Sequence, residues 1–131
     1  MTRDPANAHT FSTLLAAKSH ATNNVGSAGL DMNNYVGRLA VRVNIGVKTA
    51  GDNDGAVTVT IKAAANNTLG EATAISGTNT VATTNNTAAS GTITVDRRAE
   101  YRYLFALVTL SGTNSPAYPV AVEAVGTKQV Q

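Results

Sequence analysis

The chain has 131 residues, a net charge of +2 and no cysteine, so we expect one domain without disulfides, thiolate catalysis or zinc–thiolate sites. Ten lysines and arginines are spread along the chain rather than gathered in a basic stripe, which argues against direct nucleic-acid binding. No apolar run approaches the roughly 18 residues of a membrane span, and the N-terminus lacks the basic and apolar regions of a signal peptide, so no membrane partner is expected.

The first 34 residues differ in composition from the rest, and we expect an N-terminal arm of residues 1–34 before a β-domain of residues 35–131. Apolar residues in the arm recur at helical spacing, which predicts a short helix over residues 10–19. The residues at this spacing are Phe11, Leu14, Leu15 and Lys18, with Thr10 as the cap. Two turns of helix are not stable alone in water. The segment is therefore either a helix packed on its own domain or an extended arm that becomes ordered on a partner, and both alternatives stay open.

The β-domain begins with two alternating strands. Apolar and polar residues alternate over residues 38–47 and again over residues 57–63, the period expected of strands with one buried face. The AGDNDG sequence between them is typical of a turn, so the two strands are predicted to pair as an antiparallel hairpin. Weaker, threonine-rich strands are predicted over residues 71–76, 78–83 and 92–95.

Two further strands complete the domain. Residues 101–110 are apolar on both faces, which predicts a central strand or one whose second face is covered by another subunit. Residues 118–124 form the last strand, and Pro119 predicts an edge position because proline cannot donate a ladder hydrogen bond. About seven or eight short antiparallel strands at regular spacing predict an all-β fold, a β-sandwich or jelly-roll-like domain.

No set of residues in the sequence predicts catalysis, a metal site or a cofactor site. Asp52 and Asp54 resemble part of a calcium loop, but positions 1 and 12 of that loop would hold Ala and Ile, so a turn is expected instead. His9 and His20 have no Asp or Glu at helical spacing, and no serine lies in a G-x-S-x-G turn. We therefore expect a protein that is not an enzyme and has no cofactor.

Residues 96–103 (DRRAEYRY) are the most concentrated charged and aromatic segment of the chain. Its arginines are Arg97, Arg98 and Arg102. They are either solvated residues at the start of a strand whose tyrosines enter the core, or they grip an acidic protein surface or nucleic acid. Protein contact is favoured over nucleic acid because no basic stripe accompanies the segment.

Several sequence patterns follow one another along residues 30–129. The first is residues 30–37 (LDMNNYVG), which precede an alternating strand, and the second is a glycine-rich turn followed by a Val-Thr-Val strand. The third is residues 101–104 (YRYL), and the last is the closing residues 125–129 (VGTKQ). In this order the patterns resemble small structural proteins of tailed bacteriophages, of the head decoration or cement type. The resemblance implies a β-sandwich or jelly-roll domain bound to a capsid lattice, often as a trimer, with no catalytic residues.

The expected function is therefore that of a non-enzymatic virion structural protein that binds the outside of a phage capsid and stabilises it. The expected partners are the major capsid protein and further copies of this chain, with a trimer favoured. Such a protein is made in the host cytoplasm and lies on the capsid surface of the virion. The residues expected at the partner contact are Phe11, Leu14, Leu15, Arg97, Arg98 and Arg102.

Two other functions remain open. One is another virion component of similar fold, such as a tail-tube, collar or head-fibre protein. The other is a carbohydrate- or surface-binding β-sandwich module. Sites of the latter kind present exposed aromatic rings, whereas the four tyrosines here lie mostly at strand positions and tryptophan is absent.

Overall fold

The computed structural model describes residues 9–20, 25–49, 55–84, 87–96, 98, 100–112 and 116–128. Within these residues the chain forms ten strands and two single 3₁₀ turns, Met32–Asn34 and Leu69–Glu71. The strands are β1 His9–His20, β2 Val25–Gly26, β3 Leu30–Asp31, β4 Tyr35–Ile45, β5 Ala56–Ala64, β6 Thr73–Ala74, β7 Thr80–Thr84, β8 Ala89–Val95, β9 Tyr103–Ser111 and β10 Tyr118–Lys128. No helix in this part of the chain is long and apolar enough to cross a membrane.

The strands form two antiparallel sheets that pack face to face. Sheet A has the strand order β1-β10-β4-β8. Sheet B has the order β2-β9-β5-β6, with β3 also paired to β9 and β7 also paired to β5. Three of the ten strands, β2, β3 and β6, have only two residues, which leaves seven longer ones. The predicted all-β sandwich is therefore confirmed.

Alternating apolar residues of both sheets fill the space between them. On β4 and β5 the buried residues alternate with more exposed ones at the predicted positions. They are Leu39, Val41, Val43 and Ile45 on β4 and Val57, Val59 and Ile61 on β5. Burying each such side chain contributes about 1.5–3 kcal/mol, so these two strands supply much of the core.

Strand β9 is buried on both faces, as its sequence predicts. Leu104 and Val108 face the core between the sheets. On the opposite face, Phe105 packs with Ala72 and with Leu69 of the second 3₁₀ turn. The segment after β5 therefore covers this part of the outer face of sheet B, and β9 lies between β5 and β2.

The helix predicted over residues 10–19 is wrong. The segment is strand β1, which pairs antiparallel with β10 and has two register shifts between Thr13 and Lys18. The shifts allow the adjacent residues Leu14 and Leu15 both to pack against the core. Pairing with β10 satisfies the backbone, which two helical turns cannot do stably in water. The division of the chain into an arm of residues 1–34 and a domain of residues 35–131 stays a prediction.

The predicted hairpin of β4 and β5 is also wrong. Strand β4 pairs with β10 and β8 in sheet A, whereas β5 pairs with β9, β7 and β6 in sheet B. The connection, residues 46–55, is long enough to cross from one sheet to the other. The apolar faces of the two strands can then meet across the core, which buries both of them.

Strand β10 is an interior strand of sheet A, so the edge position predicted from Pro119 is wrong. Pro119 is the second residue of β10, and its carbonyl accepts the N–H of Gly46 at 2.8 Å. Gly46 comes after Ile45, the last residue of β4. Pro119 is paired with Ser19 of β1, but its carbonyl faces the β4 side, where the ladder ends at the pair of Val120 with Ile45. The missing N–H of the proline therefore falls just past the end of the β10–β4 ladder, where it costs little.

Candidate interaction surface

The three apolar residues predicted to contact a partner share strand β1 but differ in exposure. Phe11 is 61% exposed. Leu14 and Leu15 are half-buried and pack against the core between the sheets. Phe11 is the most exposed of the three, while the two leucines hold β1 to the sandwich, and the role of all three as partner contacts stays a prediction.

Arg102, one of the predicted contact residues, is bound within its own chain. Its Nη2 lies 3.2 Å from Asp31 Oδ2 and its Nε lies 3.4 Å from Asp31 Oδ1, so the guanidinium donates to both carboxylate oxygens. These hydrogen bonds, and then the charges of Asp31 and Tyr103, raise the pKa of Arg102 above its ordinary value. The guanidinium also lies 5.1 Å from the centroid of the Tyr103 ring. Arg102 therefore ties β3 to the start of β9.

Arg98 makes weaker contacts than Arg102. Its Nη1 lies 4.0 Å from Glu100 Oε1, and its guanidinium lies 5.6 Å from the centroid of the Tyr101 ring. An exposed ion pair of this kind contributes at most about 1 kcal/mol, so a partner carboxylate can compete for Arg98 at small cost. Arg97, the third arginine of the segment, lies outside the described residues.

The outer face of sheet A exposes apolar side chains at one end. The strand register places Phe11 beside Val125, Val125 beside Ala40, and Ala40 beside Thr94. Val36 lies at the same end of β4 and is 52% exposed. Among the described residues, Phe11 and Val36 are two of three exposed large hydrophobic side chains. We call Phe11, Val36, Ala40 and Val125 the outer patch.

Sequence reasoning missed Val36. The first strand of the β-domain was predicted to begin at residue 38, whereas β4 begins at Tyr35. Alternation could not have placed Val36, because three exposed residues separate the buried Tyr35 from the buried Leu39. Gly37 has a positive φ there, and the pairing with β10 shifts register, so that Val36 lies opposite Thr127.

Charged residues near the outer patch form pairs of opposite sign. Arg38 Nε lies 2.6 Å from Asp96 Oδ1. Two residues along from the cross-strand pair of Val125 and Ala40, Arg42 Nη1 lies 4.0 Å from Glu123 Oε1. The two guanidiniums and two carboxylates balance one another. An apolar patch beside these two balanced ion pairs favours a protein partner over a nucleic acid, whose binding needs positive charge.

Two shallow depressions lie on the outer face of sheet A. The first, which we call the patch depression, has a volume of about 250 Å³ and is lined by residues that include Arg38, Ala40, Thr94, Val125 and Thr127. The second, the central groove, has a volume of about 480 Å³ and is lined by residues that include Thr13, Arg42, Asn44, Ala121 and Glu123. The face therefore offers apolar contact at one end and hydrogen-bonding groups further along.

Within the part of the chain that the structure describes, no group of three or more His, Cys, Asp or Glu is placed to hold a metal ion. Residues 50–54, which contain the calcium-like pair, lie outside this part. The same holds for the side chains of His9 and His20.

No protein-family model and no curated protein sequence matches the chain. Two solved structures are similar in fold. The CBM36-1 domain of a multidomain xylanase from the hindgut metagenome of Trinervitermes trinervoides is 13% identical, with a TM-score of 0.49 over 93% of this chain and 99% of that domain. The human norovirus GI.7 Houston strain VLP is 12% identical, with a TM-score of 0.44 over 100% of this chain and 34% of that one. Similarity at this level carries no conclusion about function.

Proposed function

We propose that this chain is a non-enzymatic structural protein of a phage virion that binds the outside of the capsid lattice and stabilises it. The observation that carries the proposal is the exposed guanidinium of Arg98, whose 4.0 Å ion pair with Glu100 is weak enough for a partner carboxylate to replace it. The outer patch is a second exposed surface, and exposed apolar patches mark protein–protein contacts. The resemblance of residues 30–129 to head decoration and cement proteins suggests the partner, a major capsid protein.

Stabilisation follows if the protein binds the assembled lattice and not the free capsid subunit. A ligand that binds one state shifts the equilibrium towards that state by mass action. A homo-oligomer, with a trimer favoured, attaches through several copies at once, which raises avidity without a strong single interface. The proposed location is the capsid surface, and neither nucleic acid nor membrane is a proposed partner.

We assign the capsid contact to the arginine segment, residues 96–103. Arg98 is exposed, and its guanidinium makes a long ion pair with Glu100 and lies 5.6 Å from the centroid of the Tyr101 ring. Arg102 is held by Asp31, which fixes the geometry of the segment beside β9. An arginine at the rim of a contact contributes mainly by steering a complementary acidic surface into place.

The test is co-sedimentation of the purified protein with capsids of the same phage that lack it, together with the temperature at which those capsids dissociate. We expect saturable binding and a higher dissociation temperature. Arg98→Glu is expected to weaken binding about tenfold or more. Lys62→Glu is the control, because it makes the same kind of charge change on β5 of sheet B, outside both proposed contacts.

Failure of the wild-type protein to bind these capsids would refute the proposed function. Equal binding by Arg98→Glu and the wild type would refute only the assignment of the arginine segment. Antibody labelling at the tail, collar or fibres of intact particles, with none on the head, would support the other virion components instead.

A carbohydrate-binding module is the second candidate, and the central groove favours it. Thr13, Arg42, Asn44 and Glu123 supply a hydroxyl, a guanidinium, an amide and a carboxylate on one face. These groups can hydrogen-bond sugar hydroxyls, and Phe11 offers an exposed ring on the same face. Saturable glycan binding that Asn44→Ala abolishes, without capsid binding, would favour this candidate over the first.

A further inference from the structure

The outer patch carries a projection and a depression on the same surface. Phe11 projects from β1 and is not part of the wall of the patch depression. Val125, the neighbour of Phe11 on β10, is part of that wall, as are Ala40 and Thr94 further across the sheet. The depression, about 250 Å³, is large enough for an aromatic side chain. A surface with both features is complementary to a second copy of itself.

We propose that the outer patch is the contact between copies of this chain, with Phe11 of one copy seated in the patch depression of another. The proposal goes beyond capsid binding, because it does not require a capsid. If each copy seats the Phe11 of the other, the result is a two-fold dimer. If each copy instead seats the Phe11 of one neighbour and inserts its own into the next, the contact forms a ring when the rotation between copies closes and an open filament when it does not. The trimer that the proposed function favours corresponds to the ring.

The charges around the patch fit a second copy better than a strongly charged partner. Arg38 with Asp96, and Arg42 with Glu123, give the face two positive and two negative groups. Two identical faces of this kind meet without net repulsion, and opposite charges can be matched across the contact. A nucleic acid or an anionic membrane would gain little from these two balanced ion pairs.

A stable contact needs more of sheet A's outer face than the outer patch alone. A phenylalanine buries roughly 150–250 Å², whereas each side of a stable interface buries about 800 Å². The neighbouring positions on β8 and β10 hold small residues such as Thr92, Thr94 and Ala121, which allow close approach of a second sheet face.

The experiment is sedimentation equilibrium of the whole chain over about a hundredfold range of concentration, which gives mass and association constant. The wild type is expected to form a closed oligomer, with the mass distinguishing two copies from three. Val36→Asp and Phe11→Ser should raise the dissociation constant about tenfold or more. Val47→Asp is the matched control, because Val47 is equally exposed at 54% but follows the other end of β4.

A further variant, Thr94→Trp, fills the depression and leaves Phe11 in place, so it should also break the contact. Unchanged circular dichroism and unfolding temperature would show that each variant still folds. A wild type that is monomeric throughout, or a Val36→Asp variant that associates as tightly as the wild type, would overturn the proposal. Capsid co-sedimentation is scored separately: a monomer that binds capsids refutes only the self-contact, and an oligomer that ignores them refutes only the capsid function.

Discussion

At the residue scale, two buried tyrosine hydroxyls join segments that are far apart in sequence. Tyr118, the first residue of β10, donates its hydroxyl hydrogen to the carbonyl of Gly55 at 2.9 Å. The hydroxyl of Tyr35, the first residue of β4, forms a hydrogen bond with Ser12 Oγ on β1. Both tyrosines are buried, and buried hydroxyls need such partners. One therefore holds the connection before β5, and the other holds the edge strand β1.

Replacing Tyr118 by phenylalanine should lower the free energy of unfolding by about 1–3 kcal/mol, because the buried carbonyl of Gly55 loses its donor. Urea denaturation measures this change. The matched control is Tyr103→Phe at a half-buried position on sheet B, where we expect a change below about 0.5 kcal/mol. Equal losses in the two variants would contradict the role given to the Tyr118 hydroxyl.

The sequence identified some residues of the candidate surface and could not identify others. Phe11 was predicted as a contact residue and is exposed, although that role stays a prediction. The partner of Arg102 is Asp31, 71 positions earlier in the chain. Local spacing describes which residues can share a face, but it carries no information about pairs this distant. The structure was needed to show that Arg102 is already bound within the chain.

At the element scale, the same limit explains two of the three strand errors, the helix predicted for β1 and the hairpin predicted for β4 and β5. The apolar residues of β1 mimic helical spacing because two register shifts interrupt the strand's alternation. The partner of β1 is β10, at the opposite end of the chain. Neither a bulge nor a distant partner is visible in local periodicity. The regular alternation of β4 and β5, in contrast, predicted their buried faces but not that the faces would meet across the sandwich.

The strand assignment of β1 predicts unequal effects for two of its residues. Leu15→Ala should lower the free energy of unfolding by about 1–2 kcal/mol, less than a fully buried leucine, because Leu15 is half-buried against the core. Thr13→Ala, on the outer face of the same strand, should change it by less than about 0.5 kcal/mol. Chemical denaturation of both variants is the measurement. Equal, negligible effects would indicate that β1 does not pack on the sandwich in solution.

At the scale of the whole molecule, the two outer faces of the sandwich differ. Part of the face of sheet B is covered by the chain itself, through Phe105, Ala72 and Leu69. The face of sheet A carries the outer patch and both depressions. Alternation in the sequence predicts that a strand has an inner and an outer side. It does not say which of the two sheets keeps an exposed outer face, since that depends on where the connecting segments pack.

Because β1 belongs to sheet A, the full chain should unfold in a single cooperative transition rather than as a separate arm and domain. Deleting residues 1–20 removes β1, takes Leu14 and Leu15 from the core and uncovers the edge of β10. We expect the unfolding temperature to fall by about 10 °C or more, with added association through the uncovered edge.

Scanning calorimetry of the full chain and both truncations is the measurement. Deletion of residues 1–8, which leaves β1 complete, is the control and should shift the unfolding temperature far less. Two separate transitions, or an unchanged temperature after removal of residues 1–20, would instead support an independent arm. Under that outcome the deletion of residues 1–20 would test the role of the arm in capsid binding. If β1 is part of the sandwich, single substitutions such as Phe11→Ser test its outer surface without removing a strand.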